Sequence, residues 1–225
     1  MIIKFSNIVE KPIELDGVRL KKIVQGMRRH FDVQEELREK VLERSREVIR
    51  ASSRAITAMH RGDSGTVRKE VSRANSSLSA LVKAVKKDPA WMDSGLVQSA
   101  CQEYCEARIV QALIVKRKFL GPKELKAPYK AYLSGMADAA GELRRYALDS
   151  IRADKVEAAE RALGHMEDIL ELLMSFDYPD AILPGMRRKQ DMVRQVLERT
   201  RGDLTAAIGQ QRLERALEHA KRKAK

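Results

Sequence analysis

The chain has 225 residues and carries 44 Lys and Arg against 32 Asp and Glu, a formal net charge of +12. That length can bury a core without disulfide or metal staples. Hydrophobic residues at 44%, charged residues at 34% and only 6 prolines argue for helices and against a sandwich or barrel. No run approaches the roughly 18 apolar residues of a membrane span, and the start Met-Ile-Ile-Lys-Phe-Ser-Asn lacks the apolar run of a signal peptide. The expected protein is cytoplasmic, with no membrane partner. Its charge favours a polyanion, most often nucleic acid, through counterion release.

In chain order, residues 1–16 read as an irregular start interrupted by Pro12. Val18, Leu20, Ile23, Val24 and Met27 predict a short helix, closed by Arg28-Arg29-His30. Asp32, with Glu35 three positions on, has the pattern of a capping box for a long helix over 33–61, ended by Gly62. A second helix follows Asp63 and stops at Lys86-Lys87 before Pro89, with Val67, Val71, Ala74, Leu78, Leu81 and Val85 on one stripe. A third spans about 90–119, and Pro122 and Pro128 hold a loop after it. Helices over about 129–151 and 153–175, a break around Pro179 and Pro184-Gly185, and helices over 186–201 and 204–223 complete the pattern. Residues 219–225 form a basic tail. The fold expected is all-α, a single antiparallel bundle of six or seven helices forming one domain over 1–225.

Cys101 and Cys105 are the only cysteines. Four apart on a helix, they lack disulfide geometry, and no histidine near them in sequence completes a zinc site. They read as small buried hydrophobes.

Two acidic pairs stand in otherwise apolar or small-residue surroundings. Glu103 and Glu106 occupy the middle of a third-helix stripe with Leu96, Ser99, Val110 and Leu113. Asp138 and Glu142 lie among Gly135, Ala137, Ala139, Ala140 and Gly141. Each pair shares one helical face. Like charges on such faces are costly unless a cation meets them. That cation could be a metal ion, or the side chain of Arg108, Arg144, Arg145 or a lysine; spacing alone leaves both readings open. A ferritin-like di-iron centre would need Glu-x-x-His on two helices, and the histidines do not supply it. Oxygen-only ligands favour Mg²⁺ or Mn²⁺. Gly135 and Gly141, each costing about 1 kcal/mol in a helix, point to a packing or site requirement.

Three stretches carry a family resemblance. Gln102-Glu103-Tyr104-Cys105-Glu106-Ala107 is similar to a Gln-Glu-Tyr-x-Glu-Ala segment of the translin superfamily. Residues 132–143, Tyr-Leu-Ser-Gly-Met-Ala-Asp-Ala-Ala-Gly-Glu-Leu, resemble its Tyr-Leu-x-Gly-x-Ala-Asp-x-x-Gly-Glu-Leu segment. Phe31-Asp32 and the long helix through His60-Arg61 resemble its N-terminal helix. Within the superfamily the chain looks more like translin-associated factor X than translin proper, because the full acidic set is present. The resemblance implies an all-helical subunit of a hollow octamer that binds single-stranded RNA or DNA. In the factor X branch it also implies a Mg²⁺-dependent endoribonuclease. That branch's catalytic metal ligands carry over onto Glu103, Glu106, Asp138 and Glu142. Because acidic set and positive charge sit on one chain, a homo-oligomer is expected. Arg28, Arg29, Lys116, Arg117, Lys118 and Arg145 are candidates to track a phosphate backbone. With 4% aromatic residues, extensive base stacking is not expected. A non-catalytic nucleic-acid-binding oligomer with structural carboxylates is the alternative.

Overall fold

The structure, a computed structural model, describes residues 17–86, 88–116 and 118–223, and every regular element among them is helical. Seven α-helices run in order: α1 (Gly17–His60), α2 (Ser64–Val85), α3 (Gly95–Gln111), α4 (Pro122–Leu125), α5 (Tyr129–Arg152), α6 (Val156–Met174) and α7 (Met186–Lys223). A 3-10 turn, Pro89–Asp93, leads into α3, and a π turn, Ala112–Lys116, closes it. The irregular start expected over 1–16 lies outside the described residues, as do the last two residues of the basic tail. The rest of that tail is the end of α7.

The helix boundary expected at 28–32 is absent, and α1 is continuous through it. No glycine or proline falls between Met27 and His60. Arginine is a good helix former, and one mid-helix aspartate costs only a fraction of 1 kcal/mol. Likewise the two final helices are one: Gly202 stands inside α7, where a single glycine costs about 1 kcal/mol and does not end a long helix.

By compactness the chain divides into residues up to Lys40 and residues from Val41 onward. In the first unit the described residues form the leading part of α1, whose Leu20, Ile23, Val24, Met27, Phe31 and Val33 are all exposed. The second unit holds the core and the four acidic residues.

Here α1 buries Val41, Ser45, Val48, Ser52, Ala55 and Ile56, the threes-and-fours spacing of one helical face. Gly62, at φ 71°, takes the left-handed conformation that turns the chain out of α1. The Asp63 carboxylate then caps α2 by accepting the Thr66 N–H at 3.0 Å. α2 is pinned to α1 by Arg54, whose Nε donates to the buried Glu70 at 3.1 Å.

α5 is the central helix and packs on α3, α6 and α7. Its composition explains this. Ala131, Gly135, Ala137, Ala139, Ala140 and Ala147 are all buried, so neighbours approach closely on several sides. At its far end Ala147 packs with Ala159 and Ala162 of α6 and Leu204 of α7.

α3 is buried along most of its circumference. Tyr104 is core, as expected: its hydroxyl donates to Asn75 Oδ1 at 3.0 Å and accepts from Arg108 at 2.8 Å. Cys101 and Cys105 are fully buried free thiols. Burial pushes the Cys101 thiol up to about 11 and raises Cys105 further. Since the thiolate is the nucleophile, neither is expected to react with a thiol reagent in native protein near pH 8. Both should react once it is unfolded, a contrast that mass spectrometry of the alkylated chain reads directly.

Candidate functional site

α5 meets α3 at Gly135. A Cβ placed there would lie 2.4 Å from the Gln102 carbonyl oxygen and 2.9 Å from both Cys105 Cβ and the Glu106 nitrogen. The two backbones are in contact, and only glycine fits. Gly141 is different: a Cβ there meets nothing within 4 Å. Close packing is the requirement at Gly135 alone.

This contact brings the acidic pairs together. Gln102 and Glu106 bracket Gly135 from α3, and Asp138 and Glu142 follow Gly135 by three and seven residues on the same face of α5. Glu103 is raised above the usual carboxylate range by burial, by Asp138 and by Glu142, against the opposing charge of Lys189. Glu106 is pushed up to about 8 by burial and then by the charges of Glu103, Asp138 and Glu142. Among the described residues neither glutamate has a hydrogen bond or salt bridge. The other two are held. Asp138 Oδ2 accepts from Gln102 Nε2 and Oδ1 from Lys189 Nζ, each at 2.6 Å. Glu142 Oε2 accepts from His60 Nε2 at 2.6 Å, and this bond is the main reason its carboxyl is lowered. The His60 side chain, at 4% exposure, is almost wholly enclosed, and its Nδ1 lies 3.6 Å from Asp149 Oδ2.

Two of the arginines offered as partners by spacing do other work, and the third, Arg145, helps to lower the Glu142 carboxyl. Arg108 binds the Tyr104 hydroxyl, and Arg144 binds Asp203 at 2.8 Å. Arg145 reaches only to 4.0 Å from Glu142. The closest lysine pair is Lys189 on Asp138, at 2.6 Å.

The donor set, four carboxylates and no sulfur, fits a hard divalent cation; burial first, and then the neighbouring carboxylates, raise Glu103 and Glu106. As the side chains stand, however, no group of three or more His, Cys, Asp or Glu among the described residues forms a ready-made metal cluster. Both Asp138 oxygens are hydrogen-bonded, to Gln102 and Lys189, and one Glu142 oxygen to His60.

Of the basic candidates, Arg145 is 56% exposed beside the acidic group, and Lys118, 3.6 Å from Glu124, is 66% exposed. Arg28 and Arg29 are exposed on the leading part of α1. Arg117 and the Lys116 side chain lie outside the described residues.

An all-α bundle whose central helix pair gathers four carboxylates at one glycine contact defines a class of helical protein with an acidic internal site. The chain belongs to the Translin family, which matches residues 36–201. It is 33% identical over 187 residues to an uncharacterized protein of Methanocaldococcus jannaschii, covering 83% of this chain and 82% of that protein. It is similar to AfC3PO in complex with duplex RNA (34% identity, TM-score 0.76, 82% of this chain and 95% of that one). It matches a crystal structure of AfC3PO equally well (35% identity, TM-score 0.76, 82% and 96%). Apo-NeC3PO, at 21% identity and TM-score 0.75 over 82% and 96% of the two chains, shares the fold.

Three residues at this site lie outside the set read from sequence. Gln102 was visible at the head of its motif. His60, closing a long helix just before a glycine, had a weak signal. Lys189 had none: it is one of three consecutive basic residues in a chain with 44.

Proposed function

We propose that the protein binds RNA and is a metal-dependent endoribonuclease, acting as a subunit of a hollow homo-oligomer. The observation that carries this reading is the α3–α5 contact at Gly135, which sets Glu106 among Glu103, Asp138 and Glu142, where a cation would offset their charge. Membership of the Translin family and likeness to an RNA-bound C3PO structure support RNA as the partner.

Glu103, Glu106, Asp138 and Glu142 would hold Mg²⁺, or Mn²⁺ in its place. When bound, such an ion supplies Lewis acidity, activating water near neutral pH and offsetting charge that develops on the phosphate. The protein's own part is to orient and to move protons. Gln102 holds Asp138 and His60 holds Glu142, each through one short hydrogen bond. A carboxylate oxygen of this set that the ion leaves free is suited to take a proton from water. Arg145 is placed to meet a phosphate that approaches the site. Single-stranded RNA is the substrate form the family resemblance implies, and duplex RNA is the comparison to run beside it.

One observation favours a second reading, an RNA-binding protein without catalysis: both Asp138 oxygens are already hydrogen-bonded. A cleavage assay separates the two. Incubation of labelled single-stranded RNA with Mg²⁺ is expected to give shortened products, and none in chelator. Intact RNA under both conditions, with binding retained, would establish the second reading. Under either, affinity should fall at least about tenfold between roughly 50 and 200 mM salt, as phosphate contacts release counterions. Filter binding across a salt series measures it.

A further inference from the structure

Asp138 is the most constrained carboxylate of the acidic group, and one of its two partners is out of place for its own helix. Lys189 sits in the first turn of α7, which also carries Arg187 and Arg188 and has no acidic residue. Cations there oppose the helix dipole, whose positive end lies at the N-terminus. Arg187 reaches out to Asp177 at 3.3 Å. Lys189 instead reaches across to α5, donating to Asp138 Oδ1 at 2.6 Å and to the Ser134 carbonyl oxygen at 3.4 Å. Its charge also opposes the raising of both Glu103 and Glu106. The ammonium therefore meets three of the four carboxylates electrostatically and one directly.

We propose that Lys189 is the built-in cation of the acidic site, seated on Asp138 while no metal is bound and displaced when a divalent ion takes that oxygen. This rests on the metal-site reading above and adds a residue that reading does not need. Several features fit. Asp138 cannot offer Oδ1 to an ion while Lys189 holds it, whereas Gln102 on Oδ2 can stay as an orienting partner. Lys189 is 24% exposed, so its head has a route to water. A lysine is a point charge on a flexible stem, suited to leaving, where an arginine would hold the carboxylate through a planar fork. Without any cation, four carboxylates on one helix contact would repel one another, and Lys189 lets the site fold empty. Metal binding then breaks one charge-assisted hydrogen bond, and Lys189 sets affinity by competition.

The test is Mn²⁺ binding to the full chain by isothermal titration calorimetry, with melting temperatures in chelator and in Mn²⁺. Lys189→Met keeps the apolar stem and removes the competitor. It is expected to bind Mn²⁺ about tenfold tighter than wild type, because binding no longer breaks a charge-assisted hydrogen bond. In chelator it should melt below wild type, and Mn²⁺ should raise its melting temperature more. Lys189→Arg should bind no tighter than wild type. Arg188→Met, which removes an exposed charge from the same turn, should stay within about twofold of wild type, since exposed charges are well screened. If Lys189→Met does not fold in chelator, Lys189→Gln, which removes the charge but keeps a donor for Asp138, should show tighter binding in its place. Equal or weaker binding by the folded variant while wild type binds Mn²⁺, or equal tightening by Arg188→Met, overturns the displacement role alone. No binding by either protein overturns the metal site and this role with it.

Discussion

Replacing Gly135 with alanine is expected to destabilise the protein by about 3 kcal/mol or more, the upper end of what overpacking costs. The added methyl would sit 2.4 Å from a backbone oxygen and 2.9 Å from a backbone nitrogen. Neither can swing aside as the end of a side chain could, so α3 and α5 must move apart. For a chain of this size that corresponds to a loss of about 10 °C in melting temperature. The control is Gly141→Ala, six residues on in the same motif: a Cβ there meets nothing within 4 Å. Alanine is the better helix former, so this variant should hold or gain up to about 1 kcal/mol. Thermal melts of the two variants measure the difference. A mild effect at Gly135, comparable to that at Gly141, would show that α5 does not seat on α3 as described.

Glu106→Gln is expected to lower RNA cleavage by about 100-fold or more, the contribution of a positioned proton acceptor, while leaving most RNA binding intact. Glutamine keeps the shape and removes one charge from the crowd of four. In chelator the variant should also be more stable than wild type near pH 8. The sign follows from linkage. The folded chain holds Glu106 up to about 8, above the ordinary carboxylate value of the unfolded chain. Between those two values the folded state binds more protons, so wild-type stability falls as pH rises through that window. The variant lacks this slope. A Glu106→Gln protein that cuts RNA at the wild-type rate would remove Glu106 from the chemistry, whatever its melting behaviour.

These two variants lie in the part of the molecule that was most legible from sequence. Helical spacing put Glu103 with Glu106 and Asp138 with Glu142, and small residues marked where a helix could come close. It could not say that the two helices meet. The family resemblance supplied that, and the contact at Gly135 supplies the geometry. Termini written in side-chain chemistry were also readable, such as the Asp63 cap of α2, whereas the short helix α4 stands where a proline-held loop was expected. Boundaries inferred from charge alone failed: Arg28-Arg29-His30 does not stop α1, because charged residues with good helix propensity do not end a helix. Gly202 failed in the same way for α7. Lys189 and His60 were missed as site residues for another reason. Each reaches the site from the end of a helix distant in sequence, and no local pattern encodes what lies across a tertiary contact.

The central claim is that this acidic contact between α3 and α5 is a divalent-cation site that cuts RNA. The measurement that bears on it most directly is cleavage of a labelled single-stranded RNA by the wild-type chain with Mg²⁺, with Mn²⁺ and with chelator. The account predicts cutting with either ion and none in chelator. Cutting that persists undiminished in chelator, or intact RNA with both ions in protein that still binds it, would contradict the account.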